Sequence, residues 1–147
     1  MPKERRETMK ANELMIGDFV TRQNYENKAV VCKIIGLSKN SISVEFDNGS
    51  RSMGASEDSI SPIPLTTEIL EKNGFVKYDG GYKFFKSNDE NYYFGFESIF
   101  FNEETNLMNV TKEMCSGKQT SIKGYFNYVH KLQHALKLCG IVKTIEL

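Results

Sequence analysis

The sequence predicts an α+β protein. An SH3-like β-barrel over residues 11–64 is followed, over 65–147, by a helix, an antiparallel four-stranded meander and a C-terminal amphipathic helix. Three observations carry this expectation. Short β-branched runs between residues 11 and 64 are separated by closely spaced turn residues, giving about five strands in some fifty residues. A proline pair, Pro62 and Pro64, then breaks the pattern. Finally, eleven of the seventeen aromatic rings fall between Phe75 and Phe101, ahead of a stretch with helical periodicity.

In the first part, Gly17-Asp18 reads as a turn leading into a strand at Phe19–Thr21. AVVCKIIGL (29–37) is apolar and β-branched, which favours a pleated, half-buried surface. Ser38-Lys39-Asn40 supplies turn chemistry. In SISVEF (41–46) the residues Ile42, Val44 and Phe46 alternate with Ser43 and Glu45, the period of a strand with one face in the core. Asp47-Asn48-Gly49 accepts the positive φ angles of a tight hairpin, so a short strand is expected near Arg51–Met53. Ser61-Pro62-Ile63-Pro64 marks the boundary, because proline fits neither a helix interior nor a central strand.

Across the boundary, Thr66 or Thr67 can cap a two-turn helix in LTTEILEKNGF, and Gly74 stands where a left-handed C-cap is needed. Strands are expected at Phe75–Tyr78, Tyr82–Lys86, Tyr92–Ser98 (extending towards Phe101) and Leu107–Lys112, joined by short turn-rich links. Residues 113–121 read as polar and irregular. In GYFNYVHKLQHALKLCG, the residues Tyr125, Tyr128, Val129, Leu132, Leu136 and Cys139 recur every three or four positions, and Gly140 is the stop signal. Ile141–Leu147 is an edge strand or a packed tail. The first ten residues read as a disordered extension, with Met9 an alternative start because patterned sequence begins after it. The linker at the prolines is short, so the two parts are expected to pack as one body.

Composition limits the function. Among 147 residues, 19 lysines and arginines balance 19 aspartates and glutamates. This neutrality argues against a protein that coats nucleic acid through bulk charge. The balance conceals an asymmetry: residues 87–111 hold five acids and no base, and residues 112–147 hold six lysines and two acids. No apolar run approaches the ~20 residues needed to span a bilayer, and no membrane association is expected. Cys32, Cys115 and Cys139 are widely spaced and odd in number, which suits reduced thiols in the cytoplasm rather than a disulfide framework or a zinc site.

Catalytic signatures are missing. His130 and His134 lie four apart, but the glutamate of a metalloprotease helix is absent, no third ligand is evident and Lys137 is nearby. A helical wheel places both histidines opposite the apolar stripe. Glu97, among the aromatics, is the best single acid for proton transfer, and Glu103-Glu104 reads as a loop tip. No metal or cofactor is expected. Tyr82, Tyr92, Tyr93 and Phe94 could stack on bases, but the surrounding stretch is acidic. The candidate binding residues are therefore Tyr92, Tyr93, His130, Gln133, His134 and Lys137.

PIPLTTEILEKNGF (62–75) and YVHKLQHAL (128–136) resemble signature stretches in a group of small uncharacterised proteins from Bacteroides-type bacteria, their phages and mobile elements. ELMIGDFV (13–20) resembles the start of those proteins. The resemblance implies a bacterial or phage cytoplasmic protein and transfers no catalytic residue. The function expected is a non-catalytic binding or accessory protein with a protein partner, associated with a phage or mobile element. The alternative is a nucleic-acid-binding protein using the barrel or the lysine-bearing C-terminal helix.

Overall fold

The computed structural model describes residues 9–23, 26, 28–39, 41–87, 95–114, 116–125 and 127–147. Among the described residues the chain is predominantly β. Ten strands form two open five-stranded antiparallel sheets, joined by two α-helices and two single turns of 3-10 helix. This overturns the α+β expectation on two counts: the N-terminal sheet does not close into an SH3-like barrel, and the second sheet has five strands rather than a four-stranded meander. The chain divides into two compact units. The first ends at Pro64 and takes in Tyr128–His130; the second comprises Leu65–Asn127 and Lys131–Leu147.

The first unit contains β1 (Phe19–Gln23), β2 (Ala29–Ser38), β3 (Ser41–Phe46), β4 (Arg51–Ala55) and β5 (Ile60–Pro62). Their order is β4-β3-β2-β1-β5. β4 and β5 stand at opposite edges with no pairing between them, which is why no barrel forms. β5 has only three residues, and Pro62 can offer no N–H to a further strand. Val20, Cys32, Ile34, Ile42, Val44, Ala55 and Ile60 point into a shared core with Met9 and Leu14. Met9, which the sequence assigned to the extension, is buried, and its amide donates to the Ile60 carbonyl (3.3 Å). Asp18 is also buried, and its carboxylate accepts the Met15 amide (2.8 Å), fixing the turn into β1. Beyond β5, Val129 N–H donates to the Ile63 carbonyl (2.9 Å), and Pro64 bridges Tyr128.

In the second unit, α1 (Thr67–Lys72) begins at Thr66, whose hydroxyl accepts the Ile69 amide (3.3 Å). Five strands follow in an unbroken meander: β6 (Val76–Tyr78), β7 (Gly81–Ser87), β8 (Gly95–Asn102), β9 (Met108–Met114) and β10 (Gln119–Gly124). β9 runs on to Met114 and β10 starts at Gln119, so both ends of the stretch expected to be irregular, 113–121, are strand. The QTSIKG sequence of β10 offers only one apolar residue, Ile122, so hydropathy gives almost no signal. Pairing with β9, from Gln119↔Glu113 to Gly124↔Met108, defines the strand instead.

α2 (Val129–Leu138) is shorter than the sequence suggested. Tyr125 and Tyr128 precede it, and Tyr125 is exposed. Both helices end in the same hydrogen-bond pattern. The Phe75 amide returns to Leu70 O (3.0 Å) and the Ile141 amide to Leu136 O (2.8 Å), with Gly74 and Gly140 at left-handed φ angles of 85° and 73°. This is the Schellman arrangement that C-cap glycines permit. After α2 the chain runs as an extended tail, with Ile141 and Ile145 buried and no strand assigned.

Candidate functional site

Register sorts the second sheet into two faces, because residues directly opposite in an antiparallel pair share a side. One set is Tyr82, Phe84, Ile99, Phe101, Met108, Val110 and Ile122. The helices and tail meet this set. Tyr82 donates to the Glu71 carboxylate (3.3 Å), Cys139 Sγ lies 3.6 Å from Val110 O, Lys112 Nζ donates to Gly140 O (2.7 Å), and Lys143 Nζ sits 4.1 Å from the Phe84 ring centre. Burial, then the nearby Glu71 and Glu103 carboxylates, raise the pKa of the Tyr82 phenol. Burial lowers that of the Lys143 amine. Both shifts follow from disfavouring the charged form.

The opposite set faces solvent: Val76 and Tyr78 on β6, Lys83 and Phe85 on β7, Phe96, Ser98 and Phe100 on β8, then a polar half around Asn109, Thr111 and Ser121. Val76 is 68% exposed, Tyr78 58% and Phe85 43%. The polar half is tied together by Ser121 Oγ donating to Asn109 (2.9 Å) and by a Thr111–Ser121 hydroxyl pair (3.2 Å).

In the aromatic half, Lys83 Nζ lies 5.4 Å from the Tyr78 ring centre and 5.6 Å from that of Phe85, within cation–π range. Phe85 stacks on Phe96 at 5.5 Å. Gly74, Val76, Tyr78, Lys83 and Phe85 line a cleft of about 400 Å³. Large apolar side chains grouped on a solvent face are uncommon unless something binds there.

The residues singled out from sequence do not converge on this face. Tyr92 and Tyr93 lie outside the described residues. His130 is 4% exposed and stacks on Tyr128 (5.8 Å between ring centres, 17° between planes), rather than lying on a polar helix face. The helical wheel assumes one apolar stripe for the whole helix, whereas Tyr128–His130 group with the first unit and the rest of α2 with the second. Gln133 and His134 are half-buried, and Lys137 is exposed, all further along α2. Tyr82, considered for base stacking, points inward. Glu97 is half-buried on the helix-covered face, opposite Lys86 and Lys112. Glu103-Glu104 is a turn, where the Asn102 side chain accepts the amides of Glu104 (2.9 Å) and Thr105 (3.2 Å).

Sequence reasoning did not select Tyr78, Lys83 or Phe85. The signal was available. A two-residue turn, Asp79-Gly80, makes Tyr78 and Gly81 partners, and counting from there puts Val76, Tyr78, Lys83 and Phe85 on one face. Taking the link as Asp79-Gly80-Gly81 slips that register by one residue, which exchanges the faces.

Elsewhere, a cavity of about 280 Å³ in the first unit is lined by Thr21, Gln23, Ala29, Ser61, Pro62, Pro64 and Tyr128, all uncharged. Among the described residues, no group of three or more His, Cys, Asp or Glu side chains is placed to hold a metal ion. No helix among them is long and apolar enough to cross a membrane. In comparison with known proteins, the chain matches no family model, no curated protein and no solved structure.

Proposed function

We propose that this protein is a non-catalytic binding module whose solvent-facing aromatic surface on the second sheet engages a protein partner. The observation that carries the reading is the cluster of Val76, Tyr78 and Phe85, all exposed on one face, with Phe96 and Phe100 beside them. Interface cores favour aromatic anchors surrounded by polar groups, and here the Asn109–Thr111–Ser121 half supplies part of such a rim. A bacterial cytoplasmic setting, in a phage or mobile element, is part of the proposal. Its support is the sequence resemblance and the buried free thiols of Cys32 and Cys139.

Affinity capture from bacterial cells, comparing the wild type with a Tyr78→Ser/Phe85→Ser double variant, tests this. A protein captured by the wild type should be lost with the variant. The same captured set from both would remove this face from the function. A gel-shift assay with single-stranded nucleic acid, run at low and moderate salt, tests the rival reading, in which binding should weaken steeply as salt rises.

A further inference from the structure

Resting on the reading of this face as a protein-binding surface, we infer that the cleft formed by Gly74, Val76, Tyr78, Lys83 and Phe85 takes an acidic peptide. One of the peptide's carboxylates pairs with Lys83 and an adjacent apolar side chain fills the cleft. The argument begins with Lys83. Its ammonium lies between the Tyr78 and Phe85 rings, 5.4 and 5.6 Å from their centres, and among the described residues it forms no ion pair. The rings satisfy it only in part, since an exposed cation–π contact is weak beside a charge-assisted hydrogen bond.

Among the described residues, strand alternation keeps acids away from it. Glu97 points to the helix-covered face, and the one acid on the solvent-facing strand positions, Glu113, is on β9, two strands away. Among the described residues, no carboxylate lines the cleft. The site is therefore a single cation in an apolar slot, and its electrostatic complement is an anion joined to an apolar group. An acidic peptide with an embedded leucine or phenylalanine has that composition. A nucleic-acid strand would need several cations along its path, and the strand positions of this face provide two, Lys83 and Lys123. Docking is across the face rather than along the sheet edge. The edge strand β6 has only three residues with Lys77 at its centre, a pattern that discourages strand addition.

The test uses the full chain and a fluorescein-labelled, amidated peptide with a central Leu-Phe flanked by Asp and Glu. A matched peptide carries Asn and Gln in place of the acids, and a single-stranded oligothymidine is the third probe. Fluorescence anisotropy gives affinities, and amide chemical-shift changes locate binding. The acidic peptide should bind roughly tenfold more tightly than its neutral match, a difference of one charge-assisted bond. Shifts should centre on Val76, Tyr78, Lys83 and Phe85. Lys83→Gln should erase the preference, Lys83→Arg should keep it, and Val76→Ser should weaken both peptides.

Equal affinity for the two peptides overturns the inference and leaves the face as a binding surface. Binding of neither peptide, with partner capture still lost in the Tyr78→Ser/Phe85→Ser variant, also overturns it while the parent reading stands. Salt-sensitive oligothymidine binding lost with Lys83→Gln overturns both in favour of nucleic acid.

Discussion

Asn73 joins two pieces of chain 73 residues apart with a single side-chain amide. Its Nδ2 donates to Ile69 O (2.8 Å) and Glu146 O (2.7 Å), and its Oδ1 accepts the Glu146 amide (2.7 Å). The residue is 6% exposed, so removing the amide strands buried polar groups on both sides. Asn73→Ala should cost about 1–3 kcal/mol, read as a lower urea midpoint with an unchanged slope. Hydrogen exchange should show where the cost falls: the Glu146 amide should lose protection while Ile99 and Val110 keep theirs. A different residue-scale effect operates at Cys32. Burial raises its thiol pKa to about 11, with Arg22 partly opposing. The neutral thiol is the form burial favours, so the unfolded chain loses this proton first as pH rises. The resulting stability is fully present below pH 9 and is lost between about pH 9 and 11. Below pH 9 Cys32 is therefore far less ionised in the folded state than in the unfolded chain. Iodoacetamide labelling followed by peptide mapping should therefore find Cys32 protected until denaturant unfolds the chain; rapid labelling of the folded protein would contradict its burial.

At the scale of elements, the β6–β7 hairpin separates two reasons for a glycine. Gly80 has a left-handed φ of 84°, yet a Cβ there would meet nothing within 4 Å. A Cβ on Gly81 would lie 1.8 Å from the Phe101 carbonyl oxygen, so β7 and β8 would have to part. Gly80→Ala should cost about 1–2 kcal/mol, the price of the backbone conformation alone. Gly81→Ala should lower the thermal midpoint further and weaken amide protection along β7 and β8. Equal midpoints would mean the two strands can separate freely at that point. The same elements show what can be read from sequence. The helix stops at Gly74 and Gly140 were legible because a left-handed cap is a local requirement. The strand at Ser41–Phe46 was legible from its alternation, although Ser43, expected on the open face, is buried. β10 was not legible, because an edge strand held by pairing needs little apolar content. The open state of the first sheet was also out of reach: closure depends on whether two edge strands meet, and nothing local to β4 or β5 encodes that. The cleft around Lys83 failed by one residue of register in a turn.

For the whole molecule, neutrality is a sum over segments whose charges the fold places differently. Glu97 is on the helix-covered face, Lys112 donates to the Gly140 carbonyl just beyond α2, and Lys143 sits on Phe84. Charge read along the chain therefore did not report charge on a surface. Strand order leads to a last prediction about independence. Among the described residues, all nine of the first unit's core cluster fall between Met9 and Ile60, and all five strands of its sheet fall between Phe19 and Pro62. A chain ending at Pro64 keeps every one of them. It loses the Val129-to-Ile63 hydrogen bond and the Pro64–Tyr128 bridge, both beyond the end of β5. Domains of about 60 residues fold alone but bury a smaller share of their surface and are marginal. The 1–64 fragment should therefore unfold cooperatively, with a β-type circular dichroism spectrum and a midpoint below that of the full chain. Fraying should be confined to Ile60–Pro64, where amide exchange should be fastest. A fragment with no cooperative transition, restored by fusing residues 127–131 after Pro64 through a short flexible linker, would show instead that the Tyr128–His130 segment is required for the first core to form.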